Sequence, residues 1–67
     1  MAYTYDGLWK LLIDKKMNKT ELKKRISMSS ATLARLTKNQ EVSMAVLARI
    51  CKELDCNFSD IIEYVKD

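Results

Sequence analysis

ISMSSATLARL, residues 26–36, is the stretch on which the fold turns. Ser29 is placed to cap a helix beginning at Ser30, because its side-chain oxygen can take one of the N–H groups that a first turn leaves without partners. Met28 and Leu33 then stand at the spacing of a hydrophobic staple, and Leu33 and Leu36 form the inward stripe. The opposite face presents Ser30, Ala31, Ala34, Arg35 and Lys38, since residues three and four apart lie above one another. The helix is therefore narrow inside and slim and basic outside.

The same start signal recurs along the chain. Asn18 caps KTELKKRI, with Glu21 at the capping-box position and Met17 and Leu22 as the staple. Ser43 caps MAVLARICKEL with Val42 and Leu47, and Asn57 caps FSDIIEYV with Cys56 and Ile61. A further helix precedes these, from about Tyr5 to Lys16, whose Leu8, Trp9, Leu12 and Ile13 read as core. Leu47, Ile50, Cys51 and Leu54 repeat that stripe in the fourth helix. One glycine (Gly7) and no proline leave strand turns and flexible linkers poorly supplied. The reading is an all-α fold, a compact five-helix bundle forming a single domain over residues 1–67. So small a core leaves about 3–5 kcal/mol after conformational entropy, so self-association or a bound ligand would matter to stability.

The net charge of +3 is unevenly spread. Residues 15–38 carry +7, residues 39–67 carry −3 and residues 1–14 carry −1. A basic block between acidic flanks points to a face that meets a polyanion, against the plainer reading of a solvated lysine-rich surface. Catalysis is poorly supported: there is no histidine, no glycine-rich phosphate loop and no nucleophile beside an obvious base. Cys51 and Cys56, spaced C-x4-C, fall short of the four soft ligands of a structural zinc site, so neither metal nor cofactor is expected. Two reduced thiols suit the cytoplasm. The N-terminal MAYTYDG lacks the pattern of a signal peptide, and no run of 18 apolar residues offers a membrane span.

Residues 19–38 place a capped helix, the tight SMS turn and a second capped helix in succession. That is the helix-turn-helix pattern, whose second helix enters the DNA major groove by its N-terminal end. Small residues at Ser30, Ala31 and Ala34 would let the backbone approach base edges in a groove about 12 Å wide, where Arg35 could fork onto guanine.

The segments MNKTELKKRISMSSATLARLTKN and VLARICKELDCNFSDII resemble the Cro and lambda-repressor-type (XRE-like) helix-turn-helix family of short bacterial and phage transcriptional regulators, over about Leu8 to Ile62. The resemblance implies a lambda-repressor-like domain that binds double-stranded DNA as a homodimer, with repression as the expected output and residues 30–38 as the recognition helix. It implies base reading by Ser30, Ala31 and Arg35, with Ala34 beside them. Lys19, Lys38, Asn39 and Gln40 become phosphate-holding residues, with Ser29 in the same set. A helix N-terminus favours a phosphate at Lys19 on independent grounds.

Three positions depart from the family pattern. Lys23 stands where alanine is usual, and its stem is expected to pack at the helix crossing while its ammonium reaches solvent. Ser27 replaces the usual turn glycine and must adopt a left-handed conformation or reshape the turn. Asn39 replaces a frequent glycine more mildly, because asparagine tolerates that conformation. Glu41 in the following loop would repel a phosphate backbone. Phe58, Ile62 and Tyr64, with Tyr3 and Tyr5, are candidate dimer surfaces. The competing reading is a small protein-interaction module, an antitoxin or adaptor, using the same fold.

Overall fold

The computed structural model describes residues 2–66; Met1 and Asp67, the ends of the expected domain, lie outside the described residues. In chain order the elements are β1 (Tyr3–Thr4), α1 (Asp6–Asp14), α2 (Lys19–Arg25), α3 (Ser30–Thr37), α4 (Met44–Leu54), α5 (Phe58–Ile61) and β2 (Glu63–Tyr64). Four of the five helices, α2 to α5, begin where capping chemistry placed them, while α1 starts after Tyr5 with no side-chain cap. Asn18 Oδ1 accepts from the Glu21 N–H at 2.7 Å, Ser29 Oγ from Thr32 at 3.1 Å and Ser43 Oγ from Val46 at 3.2 Å. Glu21 does not complete a box with Asn18, because its carboxylate turns instead to Arg25 at 2.8 Å. The reciprocal box forms at Asn57, where Asp60 Oδ2 accepts from the Asn57 N–H at 2.8 Å.

The first four helices also stop alike. Lys16, Ser27, Asn39 and Asp55 all take the left-handed conformation, with φ between 52° and 56°. Behind each, the next backbone N–H reaches back five residues: Met17 to Leu12 O, Met28 to Lys23 O, Gln40 to Arg35 O and Cys56 to Cys51 O, at 2.8–3.0 Å. These are Schellman stops built without glycine. At three of them the residue that closes one helix is the staple of the next, and the cap follows at once: Lys16-Met17-Asn18, Ser27-Met28-Ser29 and Asp55-Cys56-Asn57. The first helix thus ends at Asp14 rather than Lys16, and Ser27 accepts its strained conformation rather than reshaping the turn.

The core gathers Leu8, Leu12, Leu22, Ile26, Leu36, Leu47, Ile50, Leu54 and Ile61 from all five helices. Two expectations need correction. Ile13, read as core, is 73% exposed, because α1 turns only Leu8 and Leu12 fully inward. FSDIIEYV yields one helical turn and then a strand: Ile62 is extended (φ −136°, ψ 144°), and Tyr64 and Glu63 pair antiparallel with Tyr3 and Thr4. The β-branched and aromatic residues of IIEYV favour that ribbon once a partner strand is beside them. Gly7 lets α1 approach α5 closely, since a Cβ there would stand 2.5 Å from the Asp60 carbonyl oxygen.

Candidate nucleic-acid interface

Leu36 is buried and Leu33 half-buried, so α3 leaves Ser30, Ala31, Ala34 and Arg35 exposed, and Lys38 follows as its exposed C-terminal cap. Among the described residues the ion pairs are those of Arg25 with Glu21 and Glu53, at 2.8 and 3.2 Å. Arg25 is thereby drawn across to α4 and held protonated by hydrogen bonds to both carboxylates, Glu21 first. Arg35 and Lys38 have no carboxylate to neutralise them in this way and stand as open donors beside two alanines.

Two lysines of α2, one turn apart, hold the ends of α3. Lys19 Nζ lies 3.5 Å from Thr37 Oγ1 and 4.1 Å from the centre of the Trp9 ring, so a cation–π contact steadies its ammonium beside the end of α3. Lys23 Nζ donates to Ser30 Oγ at 2.7 Å, at the helix start. Lys23 is half-buried, as its expected packing requires, but its ammonium meets Ser30 rather than solvent alone. Neither rung is readable from spacing, because both depend on how α2 lies across α3.

The segment after α3 is tied to Tyr5, the residue between β1 and α1. Asn39 Oδ1 accepts from the Tyr5 N–H at 3.1 Å, and the Tyr5 hydroxyl donates to the Gln40 carbonyl at 2.8 Å. Burial, with the neighbouring Tyr3 and Glu41, pushes the Tyr5 hydroxyl up from its ordinary pKa and keeps it a donor. Tyr5 is 1% exposed, which removes it from the candidate dimer surfaces. Tyr64 remains 75% exposed and Phe58 37% exposed, while Tyr3 and Ile62 are half-buried. The Ser29 hydroxyl is occupied by its own helix, accepting from the Thr32 N–H and donating to Thr32 Oγ1.

Cys51 and Cys56 are free thiols that meet where the α4 stop brings together the two residues joined by its five-residue hydrogen bond. Burial, the nearby Cys51 thiol and Asp60 push Cys56 up to about 11. The described residues hold no cluster of three or more histidine, cysteine or acidic side chains suited to a metal, and no helix long and apolar enough to cross a membrane.

A slim basic helix held across a second by a tight turn defines a helix-turn-helix DNA-binding regulator. Residues 7–67 match the Cro/C1-type HTH DNA-binding domain, and the chain belongs to that family. It is similar to the uncharacterized HTH-type transcriptional regulator YozG of Bacillus subtilis (strain 168), 37% identical over 59 residues, which cover 85% of this chain and 70% of that protein. It is also similar in structure to the transcriptional regulator VanUg, with a TM-score of 0.95 and 47% identity over 98% of this chain and 88% of the other. The protein is a DNA-binding transcriptional regulator, not an enzyme.

Proposed function

We propose that this regulator recognises a specific double-stranded DNA sequence by laying the outer face of α3 in the major groove, and that it acts as a homodimeric repressor in the cytoplasm. The observation that carries this reading is the exposed Ser30, Ala31, Ala34 and Arg35 face, with Arg35 outside every ion pair of the described residues. The small side chains admit the backbone to the groove, and the Arg35 guanidinium, one helical turn beyond Ala31, reaches guanine O6 and N7.

Lys19, Lys38, Asn39 and Gln40 hold phosphates on either side. The acceptor oxygen of Asn39 is engaged by Tyr5, which directs its amide N–H groups outward as donors. Ser29 meets a phosphate through its backbone N–H, since its hydroxyl serves the cap. Repression follows from occupancy: a small domain seated over a promoter excludes other proteins from it.

The test is a titration of a fluorescent random duplex at several salt concentrations, followed by selection of bound fragments from random DNA. The expected result is binding that weakens steeply with salt, because each phosphate contact releases counterions, together with an enriched motif. Binding without a salt slope, or selection without enrichment, would defeat the reading. A promoter carrying the selected motif should lose transcription when the protein is added.

A further inference from the structure

We propose that Lys23 determines which base edge Ser30 reads, by fixing the Ser30 hydroxyl as a hydrogen-bond donor toward the DNA; this rests on the major-groove reading above. Lys23 Nζ is 2.7 Å from Ser30 Oγ. An ammonium only donates, so the serine oxygen is the acceptor in that contact. A serine hydroxyl has one proton and two lone pairs, and would ordinarily rotate to suit either a donor or an acceptor. With one lone pair held by a cation, the oxygen becomes a poorer acceptor and its proton is turned away from Lys23.

Ser30 is the first residue of α3 and is exposed, so the freed O–H points to whatever faces the start of the helix. The partner it then suits is an acceptor in the major groove: guanine O6 or N7, adenine N7, or thymine O4. The positive charge behind it, together with the unpaired N–H groups of the first helical turn, disfavours the amino edge of cytosine. Lys23 is anchored for this role. It lies at the α2 stop, where its carbonyl accepts the Met28 N–H at 2.9 Å, and its half-buried stem has little freedom to swing away. Lys23 touches no base in this scheme and acts as a positioning residue for Ser30.

The experiment selects bound fragments from random duplex DNA with the unaltered protein and with Lys23→Met, Lys23→Arg, Ser30→Ala and the Lys23→Met, Ser30→Ala pair. Methionine keeps the packed stem and removes the donor, and thermal unfolding of each variant confirms that it folds. The unaltered protein should favour guanine, adenine or thymine over cytosine at one position by about tenfold, the scale of one charge-assisted hydrogen bond. Lys23→Met should reduce that ratio several-fold at that position alone, and Lys23→Arg should restore it. The double variant should match Ser30→Ala, because the two residues act through one hydrogen bond. A uniform loss on all sequences with Lys23→Met, or additive losses in the double variant, would overturn the proposal and make Lys23 a phosphate holder or a structural residue. Failure of the unaltered protein to bind DNA would instead remove the groove reading itself, and this proposal with it.

Discussion

Arg35 and Lys19 carry the same charge beside the same helix, but their surroundings differ, and the proposed reading gives them different work. Arg35 projects beside Ala31 and Ala34 with no anchoring carboxylate among the described residues, whereas Lys19 is steadied against Trp9 and Thr37 at the far end of α3. Arg35→Ala should therefore lose about 1–3 kcal/mol on the selected site and relax preference at one base pair, while Lys19→Ala should weaken binding to all sequences alike. Competition titrations with selected and random duplexes distinguish the two; equal losses on both for Arg35→Ala would refute base reading. Cys56 makes a prediction about stability. Its thiol is shifted up from 9.0 to about 11, chiefly by burial, so the fold favours the neutral form. Below pH 9 the thiol is protonated both folded and unfolded, and its packing is fully available. Above that, the unfolded chain ionises first, and stability falls as pH rises toward 11. Urea denaturation across that window should show a shallower decline in Cys56→Ala than in the unaltered protein, with a lower starting stability from the lost packing. Parallel declines would show that other groups carry the pH dependence.

At the scale of the element, helix starts were legible and helix stops were not. A cap is a side-chain property, so Asn18, Ser29, Ser43 and Asn57 could be read directly from the sequence. A stop is a backbone conformation, usually marked by glycine, and here lysine, serine, asparagine and aspartate occupy it. Only Ser27 and Asn39, where the family pattern carries glycine, point to a stop in the sequence; nothing marks Lys16 or Asp55. The outer face of α3 followed from Leu33 and Leu36, but its two lysine rungs did not, since they belong to the packing of α2 on α3. The β ribbon was hidden for a related reason: Tyr3 and Tyr64 are partners far apart in the chain, and FSDIIEYV read locally continues a capped helix. The non-glycine stops can be tested. Ser27→Gly should relieve about 1–2 kcal/mol of left-handed strain, offset by about 0.5–1 kcal/mol of extra unfolded-state entropy, for a net gain near 1 kcal/mol. Asn39→Gly should gain nothing or lose stability, because it also deletes the acceptor for the Tyr5 N–H. Denaturation midpoints give the comparison, and equal gains at both sites would show that the Asn39 to Tyr5 hydrogen bond contributes no stability.

At the scale of the whole molecule, the proposed homodimer answers the small size of one recognition face. One α3 presents four outward residues at its proposed base-reading positions, and the two phosphate-holding lysines per subunit, Lys19 and Lys38, would give a salt slope of roughly −1.8 for one domain. Two subunits related by a two-fold axis double both the phosphate contacts and the bases read, and they require half-sites about one helical turn apart. Tyr64 and Phe58, exposed at the C-terminal end of the chain, supply apolar surface for such a pairing. The selected DNA should therefore contain an inverted repeat, and the salt slope on it should approach twice the single-domain value. Inserting about five base pairs between the half-sites turns them to opposite faces of the duplex. It should remove the avidity of the second contact, on the order of 100-fold or more. Inserting a full turn should restore part of it only if the dimer can stretch. Gel-shift titrations on this spacing series provide the readout. Tyr64→Asp should lower affinity for the intact repeat while leaving a single half-site unaffected. If the half-turn insertion changes nothing, the two domains bind independently and the homodimer is not the DNA-binding unit.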